Sequence, residues 1–427
     1  MTAILSICLL VVAIIIGFKM KTNVGVLCMV FAYIVGGFLL QLSGTDLMNM
    51  WPSKLFILLF AVTLFYGFAM LNGTLRKLAD NIIYSFRNNT WILPIVIFLG
   101  ALIISGTGAG DVSSVIFVPI AMSIAATTGM SPILLGLAAF LGSVGGMSPI
   151  GPIGILAKEL AVGLKFSEAV VNATVTRILV NGLISFGLLF VIYYFVFKGY
   201  KKTKVLSMEK PEPFSREQRS TLIIIVCFIG VLVIPFLLKA LFPGVAFFGF
   251  VTKNINVAFI ALIGAIVASL LHVADEKQVV AHVPWSTLVV LGGVSMFIGV
   301  ATKAGAIQLL SNYIVAHASS GLIPVYLAGA SGIMSWFVSG FVVNATLFPL
   351  VPGIVAAVPE LSPVLLFSVL VVAALTTAVS PFSTGGALVV TSIEDEKIRN
   401  RAFRWYLGIP FINLAIFILL IALRIVR

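Results

Sequence analysis

The sequence predicts an all-α polytopic membrane protein of two inverted repeats, each with five transmembrane helices and one re-entrant hairpin, and with discontinuous helices at the midplane. Three observations predict it. The chain of 427 residues is 61% hydrophobic and only 9% charged, whereas a water-facing globule uses about a quarter charged residues. Its apolar segments are long enough to cross roughly 30 Å of hydrocarbon. Finally, glycine, serine and proline positions recur at nearly constant spacing in the two halves.

Apolar segments run at 3–18, 24–42, 55–72, 92–128, 132–163, 170–197, 221–241, 255–272, 285–302, 322–357, 363–391 and 404–425. The first lacks a basic stretch before it, with Lys19 and Lys21 following, so it is expected to be a membrane helix and not a signal peptide. The net charge of +12 does not point to nucleic acid, because the basic residues sit in short loops between apolar segments. Cys8, Cys28 and Cys227 lie inside apolar runs without paired spacing and read as packing residues. His272, His282 and His317 show no ligand spacing.

Four segments are interrupted. Segments 92–128 and 322–357 are too long for one span, and each carries small or polar residues at its middle. The first has Ser105-Gly106-Thr107-Gly108-Ala109-Gly110-Asp111; the second has Ser335, Ser339-Gly340, Asn344 and Thr346. Non-helical backbone at membrane depth survives only against protein or a wet cavity, so both read as re-entrant hairpins. Segments 132–163 and 363–391 are broken by Gly145-Gly146-Met147-Ser148-Pro149-Ile150-Gly151-Pro152 and by Thr377-Ala378-Val379-Ser380-Pro381-Phe382-Ser383-Thr384-Gly385. Proline removes a helical donor, and glycine tolerates unwound backbone.

The halves match in order: Gly67 with Gly299, Gly73 with Gly305, Gly110 with Gly340, Pro119 with Pro349, Ser131-Pro132 with Ser362-Pro363, and Ser148-Pro149 with Ser380-Pro381, at offsets from 230 to 232. The predicted units are residues 1–197 and 221–427, joined by the linker 198–220. With that basic linker in the cytoplasm, 17 of the 26 basic residues fall on the cytoplasmic side, as the positive-inside rule requires. Both termini are then outside a bacterial inner membrane, and the two hairpins enter from opposite faces.

Inverted repeats with broken helices place a binding site at the midplane. Helices leaving a tip or break offer free N–H groups to an anion; helices arriving offer carbonyls to a cation. The expected substrate set is Ser113, Ser114, Ser148, Pro149, Gly151, Ser339, Gly340, Asn344, Thr346, Ser380, Ser383, Thr384 and Gly385. The expected cation set, for Na⁺ or H⁺ as coupling ion, is Gly106, Gly108, Asp111, Gly145, Gly146 and Thr377. Asp111 is an acidic residue deep in an apolar segment, a functional hypothesis by default; the plainer reading is a helix cap, with Ser114 at N3. Lys158, Arg177 and Lys303 read equally well as charges that offset an anion or as side chains that snorkel to the interface. Ser131-Pro132 and Ser362-Pro363 are structural helix starts. No nucleophile, base or organic cofactor constellation points to an enzyme.

The stretch from Leu55 through Asn72-Gly73-Thr74-Leu75, then Gly106 to Pro119, then Met147-Ser148-Pro149-Ile150-Gly151-Pro152, resembles the MatC-type malonate and dicarboxylate carriers. The wider plan resembles the ion-transporter superfamily that includes the divalent-anion/sodium symporters. Those symporters carry Ser-Asn-Thr at each tip and Thr-Pro at each break. Here the tips read Ala109-Gly110-Asp111 and Ser339-Gly340-Phe341, and the breaks Ser148-Pro149 and Ser380-Pro381. The resemblance implies a homodimer with a scaffold part and a mobile transport part that moves like an elevator. The resulting expectation is a cation-coupled importer of a small dicarboxylate such as malonate. A cation/proton antiporter using Asp111, a carrier of another small anion, and a channel are the alternatives.

Overall fold

The computed structural model describes residues 2–426 except Lys21, Asp111, Pro243, Phe337, Val338 and Glu394, and without the side chains of Phe18, Phe236, Leu237, Ala240, Lys253 and Thr384. The first half contains α1 (Thr2–Met20), α2 (Val24–Tyr33), α3 (Gly44–Met48), α4 (Ser53–Leu71), α5 (Thr74–Ser85), α6 (Leu93–Ile104), α7 (Val112–Thr128), α8 (Pro132–Gly145), α9 (Pro152–Gly163) and α10 (Glu168–Val196). The second contains α11 (Arg216–Leu241), α12 (Ala246–Asn254), α13 (Val257–Leu270), α14 (Glu276–His282), α15 (Trp285–Lys303), α16 (Ala306–His317), α17 (Ile323–Ser335), α18 (Gly340–Leu347), α19 (Leu350–Ala357), α20 (Pro363–Thr377), α21 (Thr384–Thr391) and α22 (Glu396–Ala422). Among the described residues there is no strand. This is a multi-pass, all-α membrane protein.

Among the described residues, six helices are long and apolar enough to cross a membrane, or up to nine if each bent pair is one span. The sequence predicts ten full spans. The difference arises partly because α8 and α9, and α20 and α21, are separated by non-helical stretches and fall short individually. Exposed apolar side chains such as Val11 and Ile15 on α1, or Ile223 and Val226 on α11, give these helices a lipid-facing surface.

The two halves repeat element by element. Helices α4 and α15 are both 19 residues long, and each is preceded by a proline with nearly the same backbone angles: Pro52 at φ −80°, ψ 65° and Pro284 at φ −75°, ψ 64°. Each is followed by a left-handed glycine, Gly73 at φ 74° or Gly305 at φ 81°, and then by a 12-residue helix, α5 or α16. Both helices lie between the apolar segments of the sequence, which predict no helix there. Helix α5 forms because Leu75, Ala79 and Ile83 recur at four-residue spacing and bury one face. The serine starts behave as predicted: Ser131 Oγ accepts from Leu134 N and Ser362 Oγ from Leu365 N, both at 3.4 Å, each with proline opening the helix. One arm differs. Helix α7 runs unbroken past Pro119, whereas α18 and α19 bend by 42° at Phe348–Pro349.

The core lies around α8 and α20. Residues 133–145 and 366–377 are buried on every side, as an all-round apolar helix must be. Helices α6, α7, α10, α17 and α22 surround them. Elsewhere the halves interlock: α4 packs on α13, and α2 on α15. The α2–α15 contact is backbone to backbone, since a Cβ at Gly293 would fall 2.0 Å from the Gly25 carbonyl oxygen.

Candidate substrate and ion site

The first hairpin turns at Ser105–Ala109, a wide helical turn interrupted at Gly108 (φ 110°), and is followed by Gly110 (φ 54°). Both angles lie where a side chain is strained, so glycine permits the tip. The Tyr66 hydroxyl donates to the Thr107 carbonyl and holds the tip against α4. Asp111 lies outside the described residues. Helix α7 follows with Ser113 and Ser114 buried.

At the first break, α8 ends at Gly145 and α9 starts at Pro152. The chain between turns tightly: Ser148 N donates to Gly146 O at 2.7 Å, and Gly151 N to Ser148 O at 3.0 Å. Pro149 and Gly151 lie in this turn, and Gly151 caps α9 without a side-chain bond. Tip and break touch directly, because a Cβ at Gly146 would stand 2.6 Å from the Leu102 carbonyl oxygen and 2.7 Å from Ser105 Cβ. Between them lies a cavity of about 20 Å³ lined by Ser105, Gly110, Ser143, Gly146, Met147, Gly151, Pro152 and, from the other half, Phe341. That volume holds about one water-sized sphere. Ser143 Oγ donates to Gly110 O at 3.4 Å across it.

The second tip and break also meet. Thr377 Oγ1 donates to Gly332 O at 2.8 Å. The Trp336 ring packs on Phe382 at 5.9 Å. Gly340 faces Leu375 and Ala374. Ser339 caps α18 by accepting from Phe341 N at 3.3 Å. At the break, Ser380 Oγ accepts from Phe382 N at 3.2 Å, and Ser383 Oγ donates to Ser380 O at 2.7 Å. Thr384 begins α21, its side chain outside the described residues. Gly385 packs against Phe140 of α8, so the second break also contacts the first broken path.

Four buried side chains along these hairpins and breaks have no hydrogen-bond partner among the described residues: Ser113, Ser148, Ser335 and both amide atoms of Asn344. Asn344 is only 1% exposed. Burying such groups without partners costs about 1–3 kcal/mol each, so they are the side chains best placed to receive a ligand. Thr346 is different: its hydroxyl donates to Val342 O one turn back at 2.8 Å. Of the expected residues, Gly146 and Gly151 line the small cavity, and a side chain at Gly106 would meet open space. Lys158, Arg177 and Lys303 are exposed. Sequence reasoning missed Ser143 and did not include Ser105 or Ser335 in the site. Ser105 and Ser335 stand where the first arm of each hairpin ends, a recurrence that was available as a signal.

Two larger cavities flank this centre. The first, about 810 Å³, is lined by residues of the 50–54 loop, the end of α9, the end of α15, and Pro349, Pro352 and Gly353 of the second hairpin. The other, about 1260 Å³, is lined by the end of α7, Pro132 and Ile133 at the start of α8, and Ser392 and Ile393 after α21. Among the described residues no three His, Cys, Asp or Glu side chains gather to hold a metal. The donors at the centre are hydroxyls, amides and backbone carbonyls, a set suited to hard cations.

Interrupted helices with buried, partnerless polar groups along them are the arrangement a membrane carrier requires. Residues 1–147 match the family described as dicarboxylate carrier protein MatC N-terminus, and residues 246–427 match the family described as citrate transporter. The chain is thus a membrane carrier of the dicarboxylate and citrate type, and not an enzyme. No curated protein matches it by sequence. Among solved structures it is similar to the Alcanivorax borkumensis YdaH transporter, at 16% identity over 89% of this chain and 87% of that one, with TM-score 0.63. It is also similar to Neisseria gonorrhoeae MtrF, at 11% identity over 91% and 83%, with TM-score 0.55. At these identities the likeness is one of fold.

Proposed function

We propose that the chain imports a small, malonate-like dicarboxylate in symport with a cation, Na⁺ before H⁺, by an elevator-type alternating access. The observation that carries this is a cavity of about 20 Å³ lined by Ser105, Ser143, Met147 beside the unpartnered Ser148, and Phe341, three residues before the unpartnered Asn344 on α18. The cation is assigned to Ser105, Ser143 and the backbone at 106–110 and 145–147, with Asp111, next in sequence, as its counter-charge. The dicarboxylate is assigned to Asn344, Ser148, Ser113 and the N–H groups that open α9 and α18, where an anion is favoured. The match of residues 1–147 to the dicarboxylate carrier family supports the substrate class.

Inversion of the repeats is part of the proposal. The cavities support it: residues after α21 share one cavity with the start of α8, whereas the end of α9 opens to the other. On this reading equivalent segments run in opposite directions. In this topology the smaller of the two flanking cavities faces outside, the linker 198–220 lies in the cytoplasm of a bacterial cell, and two copies associate as a homodimer. Proton coupling through Asp111 is the second reading, favoured by its being an acidic residue deep in an apolar segment of the sequence.

The test is uptake of labelled mono-, di- and tricarboxylates into proteoliposomes under separate Na⁺ and proton gradients. Saturable dicarboxylate uptake driven by Na⁺ is expected. Uptake driven only by protons would transfer the coupling to H⁺, and cation exchange without carboxylate uptake would overturn the proposal.

A further inference from the structure

The flanking cavity of about 810 Å³ is far larger than the small cavity at the centre. It approaches the proposed site without joining it. Its wall includes Ala345, next to Asn344 on α18. Leu55 and Leu160 line its floor and belong to one apolar cluster with Leu156 and Phe341. Phe341 in turn lines the small cavity. The order from the membrane face inward is thus a wide cavity, an apolar plug and the polar centre.

The ionisable side chains of the wide cavity are Lys54, Lys165 and Glu159, a net charge of +1. Lys54 stands where local preference opposes its charge, and Lys165 where it opposes its backbone conformation. Lys54 is the second residue of α4, at the positive end of the helix dipole, where a cation is disfavoured. Lys165 follows α9 with a left-handed backbone, φ 63°, a conformation that glycine or asparagine adopts at lower cost. Local stability therefore does not explain Lys54, and at Lys165 the left-handed backbone offsets the favourable place of a cation after the C-terminus of α9. The opposite cavity repeats the balance with Asp395, Lys397 and Arg401, again at the connection between the second half of a broken path and the long helix after it.

Building on the carrier reading above, we infer that Lys54 and Lys165 make this cavity a positively charged antechamber that concentrates the dianion before the plug opens. Low-dielectric walls focus such a field, and a dianion feels it twice as strongly as a monoanion. The antechamber acts on capture and leaves the translocating step to the centre.

The test uses right-side-out membrane vesicles from cells expressing the chain, in which this cavity faces the medium, with uptake by non-expressing vesicles subtracted. Initial rates of labelled malonate uptake are measured for the wild type, the Lys54→Gln/Lys165→Gln double variant and the Lys54→Arg/Lys165→Arg variant. Ionic strength is set at about 0.01 M and about 0.15 M, where the screening length is roughly 30 Å and 8 Å. The glutamine variant is expected to lose about three- to tenfold in kcat/KM at low ionic strength, with the loss falling on KM and fading at high salt. The arginine variant should follow the wild type. Equal kcat/KM for the wild type and the glutamine variant at low salt, or a loss indifferent to salt, would overturn the inference while leaving the carrier reading intact. Wild-type vesicles that take up no malonate or other dicarboxylate would overturn both.

Discussion

At the first break the Ser148 hydroxyl has no partner among the described residues; at the second, Ser380 accepts from Phe382 N and Ser383 ties back to Ser380 O. The same Ser-Pro punctuation thus serves two ends. The first break stays polar and pressed against a glycine tip with room for one small sphere. The second is closed by its own hydroxyls and by the Trp336–Phe382 ring contact. In the hairpins the asymmetry runs differently, since the second one contributes the unpartnered Asn344 while the first contributes Ser113. Both halves keep their backbone interruptions but place their unpartnered side chains differently, Ser113 and Ser148 in the first and Ser335 and Asn344 in the second. The comparison teaches that a break can be built for folding or for binding with nearly the same residues, and that hydrogen-bond satisfaction distinguishes the two.

This contrast can be broken by substitution. The largest effect is expected at Asn344. Asn344→Leu should reduce dicarboxylate uptake by about a hundredfold, because hydrogen bonds to a charged ligand contribute about 1.5–3 kcal/mol each. The same change should leave the melting temperature equal or higher, because it removes an unsatisfied buried amide. Loss of uptake together with a lower melting temperature would make Asn344 a folding residue.

The serine pair sharpens the comparison further. Ser148→Ala should raise KM about tenfold with little change in stability, whereas Ser380→Ala should cost about 1 kcal/mol of stability with a smaller change in KM. Uptake kinetics and thermal unfolding of the two purified variants decide it, and the reverse pattern would exchange the roles of the breaks.

Next is the buried chain in which Tyr193 Oη donates to Asn413 Oδ1 at 2.6 Å and Asn413 Nδ2 donates to Thr376 O at 2.9 Å. It occupies a carbonyl at the end of α20, just before the second break. Asn413→Ala should destabilise by about 1–3 kcal/mol in thermal unfolding, because it strands the tyrosine hydroxyl. The smallest effects belong to the caps: Ser131→Ala and Ser362→Ala should each cost about 1 kcal/mol with unchanged KM.

The interruptions were legible in the sequence because their chemistry is local. Gly106, Gly108 and Gly110 cannot hold a stable helix, and proline after Ser148 or Ser380 removes a donor, whatever surrounds them. The same holds for the serine caps. The site was less legible because side-chain partnering depends on packing. Asn344 and Thr346 look alike as polar residues in an apolar helix, yet Thr346 bonds its own preceding turn and Asn344 does not. Ser143 reads as an ordinary small residue of α8, and only the approach of Gly110 gives it a role. Phe341 brings the halves together through an apolar contact that carries no polar signature. Helices α5 and α16 were missed because their polar faces mask a four-residue apolar repeat.

On the proposed reading, helix ends at the first tip and break hold the driving cation. The most direct measurement is the cation concentration for half-maximal dicarboxylate uptake by proteoliposomes bearing the wild type or Ser143→Ala. Loss of one hydroxyl ligand should raise that concentration about tenfold, while KM for the dicarboxylate at saturating cation stays unchanged. An identical cation dependence in both proteins, or uptake that needs no cation, would contradict it.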